Sequence, residues 1–236
     1  MSFNFKTDMR NLFLLLWDEF KGFAKSKTII AMWVGMPVII LLIHFLTPEQ
    51  SDLPITLFSG ILIASIGGVL ASVILGTTMT NEITKNVYAL FLIRPVKRWQ
   101  IILSKYIAIM LSLIIASFLS FTVGIVVDSI QFSEEISQFP EFFNNIIELS
   151  FENLLISLSA MSIACTIGLV IGILANSVAL SAILSFYIGQ QLSVIAILPG
   201  VFLEQIDPLY FSLGVGFAAT VIFLALGMFL FHRKQF

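Results

Sequence analysis

The chain has 236 residues, 58% hydrophobic and 11% charged, with 23 Phe and a mean hydropathy of +1.04. Soluble domains carry about a quarter charged residues, so this composition excludes a soluble globular protein and points to one that spans a membrane. A net charge of −2 gives no general pull toward nucleic acid, and the lone Cys165 excludes a disulfide framework or Cys-rich metal site within one chain; mid-run, it reads as a small buried hydrophobe.

Residues 1–28 open the chain. On a helical wheel Met9, Leu12, Phe13, Leu16, Phe20 and Phe23 share one arc, with Arg10, Asn11, Asp18, Lys21 and Lys25 mostly opposite. This predicts an amphipathic interfacial helix with Trp17 at headgroup depth. Leu14 and Leu15 interrupt its polar face, so a plain anchor and a partner-contacting helix both fit. A cleaved leader would present its apolar core earlier, so the first span is expected to be retained.

A hydrocarbon layer about 30 Å thick needs roughly 20 apolar helical residues. Six charge-poor runs meet or approach that length: 29–46, 57–79, 103–127, 153–175, 178–198 and 209–231. Pro37 is a candidate kink in the first. In the second, Ala64, Gly68, Ser72 and Gly76 recur every four residues and line small side chains along one face; Gly168 and Gly172 do so in the fourth. These stripes predict close helix contacts, within the chain or between two copies.

Between the second and third runs lies a basic island, with "NEITKNVYALFLIRPVKRWQ" at 81–100. A wheel places Ile83, Val87, Leu90 and Phe91 toward a helical bundle and Glu82, Lys85, Ala89, Leu92 and Ile93 on the other side. Arg94 before Pro95 predicts a break there, Pro95 suiting the first turn of a new helix. Either a protein-docking helix or an interfacial connector fits the segment 80–102. Lys105, just inside the third run, is expected to snorkel to the nearby membrane face.

The segment 128–152 is acidic and Phe-rich, is interrupted by Pro140, and predicts a pair of short interfacial helices. In the fifth run Ser185, Tyr187, Gln190 and Gln191 either line a translocation path or bond neighbouring helices. His44 and His232 lie near run ends, where structural or headgroup contacts are expected. One membrane domain over 1–236 is expected.

Charge placement gives the topology. All 12 Lys and Arg fall in the amino-terminal segment, the second connection with the start of the third run, and the tail. Ten of the 14 acids fall on the opposite side, so the two sides carry +8 and −10. An even number of spans with both termini cytoplasmic follows as the expectation.

No phosphate-binding loop, H-E-x-x-H or G-x-S-x-G is present, so no catalytic, cofactor or metal site is expected. Ion-coupled carriers need ionisable groups at mid-membrane, and these runs offer none there. Energy for transport would have to arrive from a partner at the basic face.

Glu82, Leu90, Pro95, Val96, Arg98 and Lys105 match the coupling-helix pattern of a known family, with Asn86-Val87 where Gly-Thr is usual and Lys97 where Ser is usual. With the amino-terminal amphipathic helix and the closing "FLALGMFLFHRKQF", the chain resembles the type-2 (ABC-2) six-span membrane subunits of ABC exporters. The resemblance implies an all-α polytopic permease in the cell (plasma or inner) membrane, paired with a second copy or a homologous permease. It also implies separate cytoplasmic ATPase subunits that bind ATP and Mg. The implied ATPase-docking residues are Glu82, Lys85, Leu92, Ile93, Arg94, Pro95 and Arg98. Two other classes compete: an ATP-independent channel or secondary carrier, and a non-transporting membrane scaffold or immunity protein.

Overall fold

The structure, a computed structural model, describes residues 5–46, 54–85, 87, 96–133, 140–193 and 207–234. These form seven α-helices: α1 (Phe5–Ala24), α2 (Lys27–Leu46), α3 (Ile55–Thr84), α4 (Arg98–Gln131), α5 (Pro140–Leu174), α6 (Val178–Ser193) and α7 (Pro208–Arg233). Five of them, α2, α3, α4, α5 and α7, contain stretches long and apolar enough to cross a membrane; α6 is apolar but shorter. The chain is therefore a multi-pass helical membrane protein.

The helix ends follow local chemistry. Only Ala175, Asn176 and Ser177 separate α5 from α6, and the Ser177 hydroxyl accepts the Leu180 N–H at 3.3 Å. Asp207 caps α7 by accepting the Leu209 N–H at 2.9 Å, with Pro208 in the first turn, where its missing N–H costs nothing. The cap of α3 comes from far away in sequence. Asp128 on α4 accepts the N–H groups of Ile55 and Thr56 at 2.9 Å each, and the Thr56 hydroxyl at 2.5 Å. It is 1% exposed, so the carboxylate assigned by sequence to the outer segment is an internal cap. That segment is not a pair of short interfacial helices either: α4 runs on to Gln131, and Pro140 opens a helix that continues through 152 into the fourth apolar run. Proline at the first helical position is compatible with this start, and nothing at 152 interrupts the ladder.

At the centre α3 packs along α5, α7 lies against α5, and α6 contacts both α3 and α5, while α4 carries α1 and α2 and borders α3. The small-residue stripes make these contacts. A Cβ at Gly168 would meet the Ser72 carbonyl oxygen at 2.3 Å, and one at Gly172 the Gly76 oxygen at 2.5 Å. Gly76 in turn faces Ser185 of α6, whose hydroxyl a Cβ would meet at 2.4 Å. At Ser72, Gly76, Gly168 and Gly172 the stripes therefore close within one chain. Hydroxyls bridge the same faces, Ser72 donating to the Ser185 carbonyl and Thr80 to that of Gly172 at 2.9 Å each, and on another side of α5 Ser162 meets Thr220 of α7 at 2.7 Å. Cys165 is fully buried in this core.

Candidate functional site

Polar and charged side chains from α1, α3, α4 and α7 gather at the basic end of the bundle. On α1, Asp8 and Glu19 are eleven residues apart, close to three turns, and so point the same way. That direction is toward the start of α4. Asp8 pairs with Lys97, and its carbonyl accepts the Gln100 side-chain amide at 2.9 Å. The Gln100 oxygen also accepts the Lys97 N–H at 2.8 Å, closing the first turn of α4. Two turns further along, Lys105 meets Glu19 at 2.7 Å. Parallel pairing at both ends means α1 runs alongside the beginning of α4 in the same direction.

Lys105 also meets Glu82, near the end of α3, at 2.7 Å. Its side chain is 1% exposed and the two carboxylates are 18% and 19% exposed. Lys105 therefore does not snorkel, as the sequence had suggested. Its ammonium is held inside by two carboxylates, which satisfy a charge that would be costly alone. Glu82, expected to face outward, is turned inward by the same contact, and among the described residues its second oxygen is buried without a partner. Burial pushes the Glu19 carboxyl above the usual carboxylate range, against the opposing pull of Lys105.

Arg98 reaches the opposite neighbour. Its guanidinium donates to the carbonyls of His232 and Lys234 at 2.9 Å each and of Phe231 at 3.4 Å, satisfying carbonyls that the end of α7 leaves open. The Lys234 ammonium then donates to the Ile173 carbonyl at the end of α5.

Lys85 is exposed at the end of α3, and Ile83 packs against the core as its wheel position predicts. Leu92, Ile93, Arg94 and Pro95, with Leu90 and Phe91, lie outside the described residues. The residues proposed from sequence for a path do not converge within one chain. Ser185 is buried against α3, Tyr187 and Gln191 are exposed on the outer side of α6, and Gln190 is half-buried. A two-residue step on a helix turns by about 200°, which separates 185 from 187.

The apolar arc assigned to α1 is also divided. Leu16, Phe20 and Phe23 of that arc pack into the core, whereas its Met9 and Phe13 are exposed; Leu14 and Trp17, outside the arc, are exposed as well, with the Lys21 ammonium 5.0 Å from the Trp17 ring centre. The inward direction of Asp8 and Glu19 is what the sequence did not reveal. A signal was present: two acids three turns apart on α1 and two lysines, 97 and 105, about two turns apart at the start of a later helix.

Long apolar helices with a buried ionic cluster at one end define a polytopic membrane protein. The description of an ABC-2 family transporter protein matches residues 15–191, and the chain belongs to that family as an ABC-2 type permease. A comparison with the curated proteins gave no match.

Proposed function

We propose that the chain is the membrane-spanning permease subunit of an ATP-driven exporter, in which a separate ATPase subunit binds ATP and Mg and drives substrate across the membrane. In this reading α6 and the residues that follow it form the sixth span, both termini lie on the cytoplasmic side of the plasma or inner membrane, and two permease subunits work as a dimer. The ATPase docks on the segment between α3 and α4, through Lys85, Leu92, Ile93, Arg94 and Pro95, with Glu82 and Arg98 fastening its two ends. Family membership implies the ATPase partner.

The observation that carries the proposal is the fastening itself. Glu82 ties the near end of the segment to Lys105 of α4 and through it to Glu19 of α1, while Arg98 ties the far end to the last carbonyls of α7. A push on the segment would reach four helices through charged contacts, which suits rigid-body gating between two states.

Co-expression with the ATPase tests it. Lys85→Glu combined with Arg94→Glu should lower ATPase co-purification and transport-linked ATP hydrolysis while the permease inserts normally. An undiminished, fully coupled complex from that variant would sink the docking role. Solute flux by the reconstituted chain alone, with no ATPase, would favour a channel or carrier instead.

A further inference from the structure

Helix α2 is carried by α4 and scarcely touches α3, which leaves a half-open groove between α2 and α3. The groove has a volume of about 210 Å³; its α2 wall runs from Thr28 through Ala31 and Gly35 to Ile39, and its α3 wall is Ile66, Leu70 and Ile74. A hollow of about 10 Å³ bordered by Ile40 and Ile63 continues it. The eleven steps from Thr28 to Ile39 at 1.5 Å make the α2 wall roughly 16 Å long, and the whole empty space of the groove, about 500 Å³, gives a mean section of about 30 Å², against about 80 Å² for a helix. An α-helix with its side chains is roughly 10 Å across and does not enter such a slot. A single hydrocarbon chain is the shape that does.

Two further features point to the chemistry of the occupant. Lys27, Ala31, Gly35 and Ile39 follow one another at four-residue steps, so Lys27 begins the stripe that becomes the groove wall. Lys27 is exposed, as are Lys25 and Thr28 beside it, so cationic and hydroxyl groups mark the mouth at the basic end. Gly35 is the second feature. Gly76, Gly168 and Gly172 are small because another helix touches them, whereas a Cβ at Gly35 would meet nothing within 4 Å. No neighbour demands glycine there, and its missing side chain is what keeps the middle of the groove open.

We infer that the α2–α3 groove holds one acyl chain of an anionic phospholipid, whose phosphate is met by Lys27 at the basic end. The site lies on the opposite side of α3 from the α5 and α6 contacts.

The test uses the full chain in phosphatidylcholine vesicles containing a minority of phosphatidylglycerol, with spin-labelled forms of each lipid as probes. The native chain should show a motionally restricted component with about fivefold preference for phosphatidylglycerol, the effect of one lysine near the surface. Lys27→Glu should abolish the preference. Gly35→Leu, which has room for its side chain, should remove the component at unchanged helix content; Ala31→Phe provides the same blockade one turn away should Gly35→Leu fold poorly. An intact preference in Lys27→Glu, or an unchanged component in both filling variants, overturns the inference. So does a filling variant that shifts the chain from dimer to monomer with lipid restriction unaltered, which would give the groove to a second copy.

Discussion

Replacing Lys105 with Met should be among the most destabilising single changes in the chain. The ammonium is 1% exposed and lies 2.7 Å from each of two carboxylates that are less than one-fifth exposed. Its loss leaves two like charges facing each other in a poorly hydrated site. Removing one partner from a buried ion pair costs about 3–5 kcal/mol. At about 2–4 °C per kcal/mol for a chain of this size, the thermal midpoint should fall by roughly 10 °C. Fluorescence-monitored unfolding of the purified protein in detergent would measure it. Lys105→Met with Glu19→Gln and Glu82→Gln removes every charge of the cluster and should recover more than half of the loss, because a neutral cluster no longer carries unpaired charge. The reasoning fails if the single variant unfolds within about 1 kcal/mol of the native chain, or if the triple variant is no more stable than the single one.

Four other expectations follow from the same contacts. Because burial raises the folded-state pKa of Glu19, the folded chain holds that proton more tightly than the unfolded one; its stabilising effect is complete below the ordinary carboxylate pKa and is lost as pH rises through the raised value. Glu19→Gln should therefore flatten the fall of the thermal midpoint across that window, and an unchanged slope would refute the assignment. Gly168→Ala forces a methyl toward the Ser72 backbone and should cost about 1–3 kcal/mol, whereas Gly214→Ala, with open space at its Cβ, should be neutral or slightly stabilising in the same unfolding measurement. Asp128→Ala leaves the Ile55 and Thr56 N–H groups without their acceptor and should cost about 2 kcal/mol, with hydrogen exchange rising first at the start of α3. Arg98→Ala should free the end of α7, read as faster proteolysis or exchange near Phe231 and Lys234 with little change elsewhere.

Hydrophobic pattern made the helices legible, and small-residue spacing made one interface legible. The apolar runs mark α2, α3, α4, α6 and α7 to within about five residues where they are described, whereas α5 starts at Pro140, well before its run at 153; the break just before Val178 is where the runs divide. Ala64, Gly68, Ser72 and Gly76 predicted a tight face, but spacing alone could not say what it touched, since a partner helix lies about a hundred residues away. Charges were harder to read. A wheel shows which residues share a side and not which way that side points, so Glu82 was turned outward when its cation lies 23 residues further on. Asp128 was placed in the outer segment because acids collect there, although its acceptors serve amides 72 and 73 residues back. The residues of α6 separate for a simpler reason: positions 185 and 189 fall on the α3 side, and 187 and 191 fall opposite.

The Asp128 cap gains another meaning beside Lys105. Helices α3 and α4 are antiparallel neighbours, and one carboxylate fastens the start of α3 to the end of α4 while one lysine fastens the end of α3 to the start of α4. The pair is a hairpin riveted at both tips. From Thr56 to Glu82 its length is about 39 Å at 1.5 Å per residue. Neither helix can slide along the other without breaking one of these buried contacts, so the hairpin keeps a single register from tip to tip.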